Sequence, residues 1–276
     1  MHSHSVKNSQ KGQVLLLVVL ASVIALTVGL AAISRSITST RISTEESNSQ
    51  KALSAAEAGI EEQINKALSG NAEDTPISET FNNNSGFISQ AEEVKPFGGR
   101  AFEVNNGDTV PQDEGADIWL SDQDFSTPIT STQLTIYWNG NGNCAVNAAN
   151  VEPAIEVAII YGARDNPSMR RYAADFCRET RGNNFTRIYN SSNNVDGVPY
   201  NRRYVLPDTI LRGYIARVIP LYASTKIGAQ SSAPLPVQGY VIESTGESGD
   251  TVRKLRVFQG LPKLPIEFFP YNLFLP

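Results

Sequence analysis

The sequence predicts an α+β protein: a long N-terminal transmembrane and amphipathic helix packed on an antiparallel β-sheet head. Three observations carry this expectation. Residues 14–33 form an uncharged apolar run, helical periodicity continues without a breaker to residue 68, and the sequence beyond is short, β-rich and punctuated by Asn, Ser, Gly and Pro. The run matches a bilayer, since about 20 residues rising roughly 1.5 Å each cross a hydrocarbon core of about 30 Å. The predicted order is a leader at 1–12, a transmembrane helix segment at 13–34, an amphipathic helix at 35–69, a β-rich head at 70–260 and a Pro/aromatic tail at 261–276.

The start of the chain admits three readings: a cleaved secretory signal, a permanent single-pass anchor, or a segment cut on the cytoplasmic side of its apolar stretch. An ordinary signal has an apolar region of about 7 to 15 residues and an A-x-A-like exit. This run is longer and ends in Ile33-Ser34-Arg35-Ser36, a poor cleavage site. The leader carries Lys7 and Lys11 and no acid, so it stays in the cytoplasm and the rest of the chain faces outward. Gly29 lies inside the span and lowers helix propensity by about 1 kcal/mol relative to Ala. Local loosening and a close helix–helix contact both fit it.

Farther along, Leu53, Ala56, Ile60, Ile64 and Leu68 recur at three- and four-residue steps, with Glu57, Glu61, Glu62 and Lys66 between them. This narrow stripe predicts packing on a sheet. The preceding stretch, 34–49, is rich in Ser and Thr and predicts a segment that leaves the membrane or meets neighbouring helices. The helix is expected to stop near Gly70-Asn71.

The junction Lys11-Gly12-Gln13-Val14-Leu15-Leu16-Leu17, taken with Ala55-Ala56-Glu57-Ala58-Gly59-Ile60-Glu61, resembles the type IV prepilin family and its assembly-type minor pilins. The resemblance covers roughly residues 7–68, with an echo in Ile242-Glu243-Ser244-Thr245-Gly246 followed by Arg253-Lys254-Leu255. It implies cleavage between Gly12 and Gln13 by a prepilin peptidase and methylation of Gln13. It further implies residence in membrane lipid before assembly, and as partners other pilin subunits and the inner-membrane assembly machinery. The family's Glu at the fifth mature position is replaced by Leu17, which points to a minor or tip subunit. On this resemblance the protein is a cell-membrane protein with its head outside, and then part of an extracellular filament. The alternative is a membrane-anchored binding protein, for DNA or surface adhesion, that does not polymerise.

Strands are predicted at 101–104, 117–120, 133–138, 154–161, 211–222, 239–244 and 252–259, the last two joined by a turn-rich linker at 245–250. Both histidines, His2 and His4, lie in the predicted leader, so the processed chain lacks imidazole for Ser-His-Asp or Cys-His catalysis and for zinc. No phosphate-binding glycine loop is present. The sequence therefore predicts no enzyme, no cofactor and no metal site. Asp122 and Asp124 could be imagined as calcium ligands, but no complete calcium-loop spacing surrounds them. The two cysteines, Cys144 and Cys177, lie on the outward side, where an oxidising compartment favours a disulfide over free buried thiols.

Charge is segregated along the chain. Residues 69–160 hold 14 acids against Lys95 and Arg100, whereas residues 161–220 hold ten arginines against five acids. Complementary faces within or between subunits are one reading. Another is an anion or DNA-binding patch built on Arg164, Arg170, Arg171, Arg178 and Arg181, with Tyr172, Phe176, Phe185 and Tyr189 interleaved. The third is solvated arginines over an ordinary β-domain. The tail is dense in Pro and aromatic residues and is expected to wrap over the head or to dock on a partner.

Overall fold

The computed structural model describes residues 11–69, 75–145 and 150–263; the predicted leader before residue 11 and the tail beyond residue 263 lie outside the described residues. Helix α1, Lys11–Leu68, runs for 58 residues without a break. Nothing in its sequence interrupts it: there is no proline, and its glycines, Gly12, Gly29 and Gly59, are isolated from one another.

In chain order the strands are β1 (Ile77–Thr80), β2 (Ser85–Glu93), β3 (Ala101–Glu103), β4 (Ala116–Trp119), β5 (Ile129–Thr132), β6 (Leu134–Trp138), β7 (Ala154–Ala163) and β8 (Asn166–Asp175). The short helix α2 (Arg178–Arg181) follows. Next come β9 (Thr186–Arg187), β10 (Asn193–Val195), β11 (Val198–Tyr200), β12 (Arg202–Val205), β13 (Ile210–Leu221), β14 (Ile227–Ser231), β15 (Gly239–Ser248) and β16 (Thr251–Gly260).

They form three larger sheets and the hairpin β10-β11. The helix-bearing sheet has order β1-β2-β15-β16 and is antiparallel throughout. The central sheet has order β4-β13-β7-β8-β9, with β5 also on β13, and is mixed because β8 and β9 run parallel. The outer sheet has order β12-β6-β14-β3. The sequence-predicted strands are present. Those it missed, β2, β8 and β14 among them, are cut by Ser, Gly, Asn or charged residues that hide the alternation.

Two apolar layers share the central sheet. On one face Ile118, Ile155, Val157, Ile159 and Val218 pack against Leu134, Ile136, Trp138 and Ile227 of the outer sheet. On the other, Trp119, Ala158 and Ile215 meet Ile60 and Ala67 of α1 and Tyr240 and Ile242 of β15. This is why β7 and β13 read as nearly continuous apolar runs: both their faces are covered. Gln238 ties the layers together, its Oε1 accepting from Trp119 N at 2.9 Å and its Nε2 donating to Trp119 O at 3.0 Å.

The stripe by which the helix meets its sheet is shifted from the one predicted: Ala56 and Ile60 are buried as expected and Ile64 packs partly buried in the same layer, but Leu53 and Leu68 are not part of it. Ala52, Ala55, Ala56, Gly59, Ile60, Gln63 and Ala67 are buried, whereas Leu53 and Leu68 are 39% and 44% exposed. Hydrophobicity pointed to the large residues, but the close approach of helix to sheet selects the small ones. The expected linker at 245–250 is also shorter than its composition suggests. The ladder between β15 and β16 runs on to Ser248↔Thr251, leaving Gly249 and Asp250 as the turn, with Gly249 at φ +56°.

Candidate functional site

Above the head, residues 14–47 of α1 stand entirely exposed. Val14 is 63% exposed, Leu17 67% and Ile33 58%, and the most apolar window has a mean hydropathy of 2.9 with none of it buried. No aqueous surface of this chain covers them, so the segment needs lipid or other helices around it. The helix is long and apolar enough to cross a membrane. The backbone of Gly12 and Gln13 is helical and begins this segment. A Cβ on Gly29 would meet nothing within 4 Å, so no packing inside this chain explains that glycine.

The polar stretch that follows satisfies itself. Thr38, Thr40 and Thr44 hydroxyls donate to the carbonyls of Ser34, Ser36 and Thr40, one turn back, and Arg41 pairs with Glu45 at 2.9 Å. Contact with the head begins at Asn48 and Ser49, where Arg253 of β16 donates to Ser49 Oγ at 2.6 and 3.0 Å. Here helix and sheet touch backbone to backbone: a Cβ at Gly246 would lie 1.9 Å from Ala52 O and 2.5 Å from Ala56 N. One turn on, a Cβ at Gly59 would lie 2.4 Å from Ser244 Oγ and 2.6 Å from Phe87 Cδ2. Glycine at both places permits the close approach.

Cys144 and Cys177 form a disulfide, with Cα atoms 5.3 Å apart and a separation of 33 positions in sequence. Beside it lies a buried polar network that the sequence did not announce. Glu152, 0% exposed, accepts from Arg202 Nε at 2.6 Å and from Gly142 N at 2.5 Å. Asp175, equally buried, accepts from Arg181 Nη1 at 2.8 Å and from Cys177 N at 2.7 Å, while Asn183 holds its second oxygen at 2.7 Å. The Arg181 guanidinium lies 3.9 Å from the Tyr222 ring centre and that of Arg202 lies 4.1 Å from Phe176. Two ion pairs, each stacked on an aromatic face, thus fix the disulfide-closed segment to β7, β8 and β12.

The five arginines singled out in the sequence are dispersed. Arg164 donates to the Asp124 carbonyl at 3.1 Å, and Arg170 pairs with Asp208 at 3.1 Å while lying over the Tyr161 ring. Arg171, the next residue of β8, points to the opposite face and pairs with Glu156 at 3.1 Å. Burial pushes the Glu156 carboxyl above its ordinary pKa, and Arg171 opposes that shift. Arg178 is half-buried on α2, and Arg181 is in the interior. Another arginine of the same stretch, Arg217, forms a two-point pair with Asp117 at 2.7 and 2.8 Å. The signal that could have found it is its inward place in Ile215-Ala216-Arg217-Val218, a run otherwise apolar.

Asp122 and Asp124 are loop staples. Asp122 accepts from the hydroxyls of Ser121, Ser126 and Thr127 and from Thr127 N, while Asp124 accepts from Ser126 N. Burial pushes the Asp122 carboxyl up, but those hydrogen bonds outweigh it and hold it well below the usual carboxylate range. Between them Phe125 sits at φ +59° and stacks on Trp119 with centroids 5.3 Å apart. Among the described residues no group of three or more His, Cys, Asp or Glu is placed to hold a metal.

No protein-family model, no curated protein and no solved structure matches this chain. The reading of function therefore rests on its own residues and geometry.

Proposed function

We propose that this chain is a non-enzymatic structural subunit, of minor or tip type, of a type IV pilus or related secretion filament. The observation that carries the proposal is a single uninterrupted helix, bare from Val14 to Ser47 and interlocked with a sheet below, that begins at a Gly12-Gln13 junction of prepilin type. In this reading the apolar segment first resides in the membrane. A prepilin peptidase cuts after Gly12 and methylates Gln13, and the inner-membrane assembly machinery then moves the helix from lipid into a bundle of other subunits' helices. Burying each large side chain against a neighbour replaces lipid contacts with helix packing, so close fit and small residues decide the arrangement. Leu17 lacks the charge that would fix register against a neighbour's amine, which fits a subunit used once or rarely.

The arginines do not strengthen a DNA-binding reading: of the five singled out, Arg170, Arg171 and Arg181 pair with carboxylates of the head and Arg164 donates to the Asp124 carbonyl, and Arg202 and Arg217 of the same stretch are paired as well. The competing class is an anchored binding protein that stays in the membrane. Mass spectrometry of the N-terminus of the protein isolated from its host separates the two. N-methylated Gln13 is the expected result. A chain that keeps Met1, or one that begins beyond Ile33, overturns the proposal.

A further inference from the structure

Next to the buried ion pairs the head carries a cleft of about 610 Å³. Gln112, Asn139, Asn141, Asn150, Tyr222 and Ser224 line it, with small or apolar residues between them, and none of the described lining residues is charged. Two segments are pinned together to form it. Val110 and Thr225 exchange backbone donations at 2.9 and 3.1 Å, Asp113 N donates to Pro220 O at 2.8 Å, and Gln112 N donates to Ser224 Oγ at 3.0 Å. Thr225 Oγ1 donates to Asn139 O at 2.9 Å and so fastens the residue after β6 to the same place.

Tyr222 is the unusual member of the lining. It is half-buried and stands at φ +70°, a backbone conformation that a bulky side chain rarely adopts. The interior Arg181 guanidinium lies 3.9 Å from its ring centre and is itself held by Asp175 and by Glu152 O. Strain of this kind persists only where the surroundings over-determine it, and it gathers at ligand sites. The Arg181–Tyr222 stack is therefore an aromatic surface fixed before any ligand arrives, which lowers the cost of binding.

The groups around the ring both donate and accept. The Ser224 hydroxyl accepts from Gln112 N and keeps its own proton to give, and the Gln112 amide donates to Asp113 at 3.0 Å and keeps its carbonyl. Asn139 is held in place by donating to Pro199 O at 3.2 Å and accepting from Asn201 N at 3.1 Å. An uncharged wall returns nothing for the desolvation of an ion, so the matching ligand is neutral. It presents hydroxyls in fixed directions to the polar groups and an apolar C–H face to the ring. Those are the properties of a saccharide.

We propose that this cleft binds a neutral glycan, one sugar ring packing on Tyr222 and its hydroxyls bonding to Gln112 and Ser224. The proposal stands apart from the filament-subunit reading, since an anchored protein that never polymerises would carry the same site.

The test uses the full chain in micelles of a phosphocholine detergent, which adds no sugar, and a panel of neutral trisaccharides: maltotriose, cellotriose, triacetylchitotriose and mannotriose. Saturation-transfer NMR reads which of them binds, and calorimetric titration reads how tightly. At least one should bind with a Kd of about 1 mM or below. That Kd should hardly move between roughly 0.05 and 0.5 M salt, because no charge takes part. Tyr222→Gly removes the ring and suits the left-handed backbone; it should weaken that saccharide about tenfold. Gln112→Ala and Ser224→Ala, both at exposed positions, should each weaken it about threefold, and they decide the matter if Tyr222→Gly fails to fold. Silence of the whole panel overturns the proposal, as does binding that the Gln112 and Ser224 variants leave unchanged. So does a preference for sialyllactose over the neutral panel, since that calls for a cation in the site.

Discussion

Replacing Gly246 by Ala tests whether shape, not apolar area, fixes α1 on the head. The added methyl would lie 1.9 Å from Ala52 O and 2.5 Å from Ala56 N, both main-chain atoms of the helix that cannot swing aside. Restoring an ordinary carbon–oxygen contact of about 3.3 Å requires the helix to rise about 1.4 Å at this point. That lift also draws Ser49 away from Arg253 and loosens Ala52 and Ala56. Overpacking of this kind costs about 1–3 kcal/mol, and the upper end applies because both obstacles are backbone. For a head of this size each kcal/mol moves the midpoint by about 2–4 °C, so Gly246→Ala should lower the melting temperature by about 6–12 °C. Thermal unfolding of the full chain in micelles, followed by circular dichroism, measures it. The control is the same substitution at Gly29, where nothing lies within 4 Å; it should leave the melt of the head unchanged. A Gly246→Ala chain that melts with the parent would refute the reasoning.

Other regions give equally definite expectations. Converting Cys144 and Cys177 to Ser opens a 33-residue crosslink and should cost about 3–4 kcal/mol in chemical denaturation, with a matching fall when the parent is reduced. Arg202→Met leaves Glu152 charged and buried and should cost about 3–5 kcal/mol; the double variant with Glu152→Leu should recover most of that, as a double-mutant cycle would read. The Asp122 carboxyl is held below its ordinary value, so its contribution is complete above the unfolded pKa of about 3.9 and is lost only as pH falls through the lower folded value. Fluorescence reporting the Trp119–Phe125 stack should therefore stay constant from neutral pH down to about 4 in the parent. In Asp122→Asn it should be altered even at pH 7.

The long helix was legible because nothing along residues 11–68 competes with it, and the late strands were legible because β13, β15 and β16 carry clear apolar alternation or continuous apolar runs. The buried face of α1 was legible only in part, at Ala56, Ile60 and Ile64. Ala52, Gly59 and Gln63 are chosen by closeness to Gly246, Ser244 and Ser89, a property of the sheet that sequence periodicity does not carry. The disulfide followed from counting two cysteines and placing them outside the cytoplasm. The ion pairs around it did not follow, since Glu152 and Asp175 find their arginines 50 and 6 residues away only after the strands have been laid side by side. Charge segregation along the chain suggested opposed faces; within the head much of it is settled by pairs such as Arg217–Asp117.

The anchorage of α1 changes character along its length, and that change bears on how the helix works. Toward its C-terminal end, Ile60 and Ala67 sit in an apolar layer with Trp119, Ile215 and Ile242. Toward the exposed end, the sheet offers Ser85, Ser89, Ser244, Gly246 and Ser248, and the buried Oγ atoms of Ser89 and Ser244 make no hydrogen bond. Such a surface holds little through apolar burial. It holds through interlock: the helix presents its main chain at Ala52 and Ala56 to Gly246, so closely that a Cβ on the sheet would lie 1.9 Å from Ala52 O. The apolar end supplies adhesion and the small-residue end supplies register.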